Sequence, residues 1–152
     1  IMGTNIFNKE YVFLNVDAKS KVEVLKFISK KAKDLNLAED ESLVYEGLMA
    51  REEQFTTNLG ESIAIPHTKN DAIENPAVVV LKFNEDVVWN EGEDKVKLAI
   101  SLLMPGKSKE NIHLKLLSSL SRKLINKEFK DSLLKSDNVE EISNLINEAL
   151  GL

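Results

Sequence analysis

The chain has 152 residues, 43% hydrophobic and 30% charged, with a formal net charge of −5 and no cysteine. That length suits one domain with a proper core, and the missing cysteine excludes disulfides, thiol catalysis and cysteine-based zinc sites. Basic spots such as Lys107 and Lys109 form no stripe, which argues against nucleic acid as main partner, and no apolar run is long enough to span a bilayer.

The opening, IMGTNIFNKE, has neither a basic leader nor a long apolar stretch, so no secretory signal is expected, and Ile1 is set aside from fold reasoning. YVFLNV (11–16) is β-rich and predicts a first strand. From Ser20 the period changes: Val22, Leu25, Ile28, Ala32 and Leu35 recur at helical spacing. Asp40 is placed to cap a second helix through Leu43, Val44, Gly47 and Leu48, reaching about Arg51. FTTNLGE is a polar break, and SIAI (62–65) a short buried strand stopped by Pro66.

AVVVLKF (77–83) is a stronger strand, opened by Pro76. KVKLAISLLM (95–104) begins with alternation and becomes continuously apolar, the pattern of a central strand buried on both faces. PGKSKEN reads as a turn. Leu116, Leu117, Leu120, Leu124 and Ile125 mark a third helix, KEFKDSLLK a shorter fourth, and Val139, Ile142, Leu145, Ile146 and Ala149 a strongly amphipathic last one. The order is β-α-α-β-β-β-α-α-α. It predicts an α/β fold, a three-layer α/β/α sandwich on a small mixed central sheet, as a single domain over 1–152 with its core at about 6–150. No glycine-rich dinucleotide loop or phosphate loop is present.

Two histidines stand out. His67 follows Pro66 at the C-terminal end of a strand, where open α/β sheets tend to place functional groups. A loop histidine with a satisfied ring nitrogen is the competing account. His113 shares a helix face with Leu116, Leu117, Leu120 and Leu124, as a hydrogen-bonded core histidine would, but it also sits near a helix start. There the dipole favours an anion and disfavours a charged imidazole. Arg51 is either a solvated helix-end charge or a planar fork for a phosphate or carboxylate. Thr56 and Thr57 could donate hydroxyls to an anion. Trp89 reads as packing on a turn between strands, and Asp71, Glu74, Glu91, Glu93 and Asp94 as a solvated rim. Two histidines 46 residues apart, without H-x-x-H spacing, give no metal site.

In order, REEQFTTNLGESIAIPHTK, VVVLKF…VVWN and HLKLLSSLSRKL form a series that resembles enzyme IIA of the fructose/mannitol class of the bacterial phosphoenolpyruvate-dependent sugar phosphotransferase system. The resemblance runs from about Ile6 to Leu150, and A-I-P-H (64–67) is its most specific piece. It implies an α/β/α sandwich and a cytoplasmic phosphotransferase component that uses no cofactor. His67 would accept a phosphoryl group from phospho-HPr and pass it to a IIB domain, which phosphorylates a sugar (fructose-like) during uptake through a membrane IIC domain. His113 would be the second active-site histidine and Arg51 the arginine beside the phosphoryl group; Thr57, through its hydroxyl, is a further candidate phosphate contact. The family's loop before the histidine is usually T-G-x-G-N-G-like; here it is Thr57-Asn58-Leu59-Gly60-Glu61-Ser62, in which Asn58 tolerates a left-handed backbone. The alternative within the family is a nitrogen-related regulatory IIA, whose phosphorylation state controls partner proteins.

Overall fold

A computed structural model describes residues 6–107 and 110–152. β1 (Val12–Val16) is followed by α1 (Lys21–Asp34) and α2 (Glu41–Gln54). Then come β2 (Asn58–Gly60), β3 (Ile63–Ala64), β4 (His67–Asn70), β5 (Ala77–Val87) and β6 (Val96–Pro105). The chain closes with α3 (Glu110–Leu124), α4 (Lys127–Lys135) and α5 (Val139–Leu150). Within the predicted PGKSKEN turn, Ser108 and Lys109 lie outside the described residues.

The helix starts follow from local chemistry. Ser20 accepts the Glu23 N–H, Asp40 the Ser42 and Leu43 N–H groups, Asn126 that of Phe129 and Asn138 that of Glu141. Each satisfies donors that the first turn leaves without a helical partner. The apolar stripes then choose sides of the sheet. Leu25, Ile28 and Ala32 of α1 pack with Val44 and Leu48 of α2 on one face. Leu116 and Leu120 of α3, Leu133 of α4, and Ile142 and Ile146 of α5 pack on the other. The two central strands serve both faces: Val79, Leu81, Ala99 and Leu103 point to the first, Val78, Val80, Leu98, Ile100 and Leu102 to the second. Burial on both faces is why these strands read as continuous apolar runs rather than alternation.

The sheet runs β1-β5-β6-β3-β2, with β4 also on β6. β1 is parallel to β5, β5 antiparallel to β6, and β3 and β4 both parallel to β6, so the sheet is mixed as predicted. Several predicted details change. The polar break at FTTNLGE contains β2, a strand too short to carry a periodic signal. Pro66 interrupts the strand rather than ending it: the Ile65 N–H turns away to the Thr57 carbonyl, and the chain rejoins β6 with His67 opposite Leu102. His67 therefore opens a strand as well as following one. α2 continues beyond Arg51 to Gln54. Val22, Leu43 and Ile125 are exposed; Ile125 lies beyond the end of α3.

Two backbone features shape the end of the sheet near His67. A Cβ on Gly47 would lie 2.6 Å from the Thr68 Oγ1 and closer still to the Asn70 Nδ2, so only glycine lets α2 approach β4 this closely. Gly60, Glu61 and Ser62 all carry positive φ, at 83°, 54° and 78°. The left-handed backbone that Asn58 could tolerate falls instead on three successive residues, two of them bearing side chains. Glu61 is held there by an N–H to the Asp94 carboxylate and an ion pair with Lys130 of α4.

Candidate functional site

α2 reaches the site from one layer of the sandwich and α3 from the other, and they meet at the edge strand β4. A depression of about 440 Å³ lies there, lined by Gly47, Ala50, Arg51 and Gln54 of α2, His67 to Asn70 of β4, and His113 of α3. His67 is only 8% exposed. Its Nδ1 lies 2.8 Å from the Ile65 carbonyl. A carbonyl can only accept, so Nδ1 carries the proton and Nε2 keeps its lone pair. The Arg51 Nε–H, which can only donate, reaches that same Nε2 at 3.2 Å. The Pro66 break makes this geometry possible, because it frees the Ile65 carbonyl to turn toward the ring.

A second arginine contact is local: an Arg51 Nη donates to the carbonyl of Phe55, the C-cap just past α2, at 2.6 Å. His113, fourth residue of α3, places its ring centroid 5.6 Å from that of His67 at an interplanar angle of 51°. Its Nδ1 is buried with no hydrogen-bond partner among the described residues. Burial pushes the His67 imidazole below its ordinary pKa; the hydrogen bond to Ile65 opposes this, and the Arg51 charge adds to it. Burial also lowers His113, with the charges of His67 and Lys69 acting in the same direction. Both rings are thereby biased toward the neutral form at pH 7. A neutral imidazole with a fixed tautomer, an aimed lone pair and a guanidinium alongside can act as a nucleophile toward an electrophile that carries anionic oxygens.

Arg51, His67 and His113 thus come together. Thr57 does not line the depression: it is buried, and both its N–H and its hydroxyl go to the Glu52 carboxylate. Glu52 also accepts the Trp89 indole N–H at 3.2 Å. Gln54 and Lys69 line the site without having been singled out in the sequence. Gln54 stands three residues after Arg51 on the same helix, and Lys69 two after His67 on the same strand, so both spacings were readable.

Solved structures similar to this chain define a class of protein. Nitrogen regulatory protein IIA-Ntr from Neisseria meningitidis superposes with a TM-score of 0.83 at 25% identity, covering 93% of this chain and 97% of that one. Enzyme IIA mannitol from Escherichia coli superposes at 0.76 with 26% identity, covering 92% and 98%. That enzyme is also known in complex with phosphorylated enzyme IIB mannitol. The sequence then names the family: residues 5–149 match the model for "Phosphoenolpyruvate-dependent sugar phosphotransferase system, EIIA 2", and the chain belongs to it as a phosphotransferase component. Among curated relatives, the PTS system fructose-specific EIIA component of Haloferax volcanii is 29% identical over 93% of this chain and 92% of its own length. The fructose-specific EIIABC component of Bacillus subtilis is also 29% identical, but this chain spans only 23% of it.

Proposed function

We propose that this chain is a cytoplasmic phosphoryl relay acting as one domain over residues 1–152, in which His67 accepts a phosphoryl group from phospho-HPr and delivers it to a IIB domain for uptake of a fructose-like sugar through a IIC domain. The observation that carries this reading is the His67 ring itself, with Nδ1–H fixed on the Ile65 carbonyl and Nε2 addressed by Arg51.

The Nε2 lone pair attacks phosphorus opposite the donor's N–P bond. As the new N–P bond forms, the old one breaks and its electron pair returns to the donor imidazole. The Nδ1 proton stays on His67, where the Ile65 carbonyl offsets the positive charge growing on the ring. Arg51 turns its donors from Nε2 to the phosphoryl oxygens, and His113 meets them from the opposite layer. Such a transfer asks chiefly for in-line positioning and charge stabilisation. The IIB acceptor is supported by the similarity to mannitol IIA, a protein known in complex with phosphorylated IIB. An open site suits two protein partners that visit in turn.

Incubation with phosphoenolpyruvate, enzyme I and HPr, followed by site mapping, should place one acid-labile, base-stable phosphoryl group on Nε2 of His67. Labelling that persists unchanged in His67→Ala would sink the assignment. A regulatory role is the second reading, favoured by the similarity to IIA-Ntr. Onward transfer to a fructose-class IIB supports the first reading; a phosphorylated chain that such domains leave untouched supports the second.

A further inference from the structure

Glu52 is an unusual residue to find where it is. It is only 6% exposed, yet among the described residues its hydrogen bonds all come from uncharged donors: the Thr57 N–H at 3.1 Å, the Thr57 hydroxyl, and the Trp89 indole N–H at 3.2 Å. A buried carboxylate is costly to desolvate, and an amide of the same shape would accept both N–H donors without that cost. The two N–H donors both go to Oε1, while Oε2 takes only a hydroxyl, which can reverse its role. The charge is therefore surplus to the packing. It sits in the last turn of α2, next to Arg51, and joins that turn to the residue ahead of β2 and to the β5–β6 connection.

Resting on the phosphoryl-carrier reading, we propose that Glu52 is a positioning residue of this site: it holds the last turn of α2 so that Arg51 meets His67 Nε2, and its negative charge keeps the phosphoryl group on His67 transferable. Arg51 of α2, His113 of α3 and Lys69 on its own strand line the depression with His67, while Glu52 sits beside Arg51 in α2 without lining it and is the negative charge that acts on the ring. Arg51 disfavours the imidazolium and Glu52 favours it, so the two charges act on the ring in opposite senses. On a phosphorylated ring the carboxylate repels the phosphoryl dianion that Arg51 attracts. A carrier that must give up its group needs both.

The test uses the intact chain and two substitutions. Glu52→Gln keeps the shape and the two N–H bonds to Oε1, lets the Thr57 hydroxyl turn from donor to acceptor, and removes the charge. Its melting temperature should match wild type, and the His67 ring titration, followed by NMR on unphosphorylated protein, should move to lower pH. Transfer of labelled phosphoryl from His67 to a fructose-class IIB domain should slow severalfold while acceptance from phospho-HPr persists. Glu52→Ala, which also frees the α2 turn, should lose acceptance as well. An unmoved His67 titration or wild-type transfer in Glu52→Gln would overturn the proposal, as would a Gln variant that melts well below wild type, since the charge would then serve folding. If the wild-type chain takes no label, the carrier reading fails by itself, and the titration still decides whether the Glu52 charge acts on His67.

Discussion

An arginine at the end of a helix is ordinarily a solvated charge, and for such a role lysine is an adequate substitute, because an exposed ion pair contributes about 0–1 kcal/mol. Arg51 is half-buried and divides its donors between a ring nitrogen and a carbonyl. Lysine keeps the charge but loses the planar fork. Arg51→Lys should therefore slow phosphoryl transfer from phospho-HPr by roughly tenfold or more, since each ~1.4 kcal/mol of lost transition-state stabilisation is a factor of ten. Its melting curve should barely move. Wild-type rates, or a rate loss matched by unfolding, would count against a phosphate role. His113→Ala should fold and still accept phosphate, but more slowly, as stopped transfer assays would show. Sequence brought these three residues together only through the order of its motifs. Neither spacing nor composition could show that Thr57 would be claimed by Glu52, because that contact depends on how the chain turns between α2 and β2.

At the scale of elements, the helices were more legible than the short strands. α4 and α5 have caps and a clear apolar period, and α4 falls where KEFKDSLLK places it. β2, β3 and β4 span three, two and four residues, too few for any periodicity to register. Their places are set by the pairing of β3 and β4 with β6 and of β2 with β3, and by the break at Pro66. Two substitutions probe this corner. Gly47→Ala inserts a methyl between α2 and β4 and should destabilise by about 1–3 kcal/mol, the usual range for overpacking. It should also slow transfer, because Arg51 rides on the displaced helix. Ser62→Gly should do the reverse for stability. A left-handed L-residue costs about 1–2 kcal/mol, part of which glycine returns as chain entropy lost on folding. A net gain of about 1 kcal/mol in denaturant midpoint experiments is expected, and a destabilised Ser62→Gly would show that the left-handed turn carries no strain.

For the molecule as a whole, both histidines resist protonation, and this ties stability to pH. Between their lowered folded-state pKa values and the ordinary value of about 6.5, the unfolded chain binds more protons than the native one. Stability should then fall as pH drops through 6.5 and level off below the folded values, on account of these two groups. Melting temperatures recorded from pH 8 to 5 should show this decline, and a His67→Asn, His113→Asn double variant should flatten it. Phosphoryl acceptance should hold steady across pH 8 to 6.5 for the same reason, since the nucleophilic ring stays neutral. The three-layer arrangement was readable from the order of elements and the two continuous apolar strands. The meeting of both layers at one strand edge was not, because the sequence does not specify which strand takes the rim.

That meeting has a kinetic consequence. Arg51 belongs to the layer that packs on α1, His113 to the layer that packs on α4 and α5, and His67 stands where they converge. Trp89 belongs to the first of these two cores and bonds to Glu52, so its fluorescence reports when that half has docked. On the proposed relay, competence to take a phosphoryl group requires the other half as well. During refolding, recovered activity should therefore never run ahead of the tryptophan signal, and any delay between the two measures how long the second half takes to close.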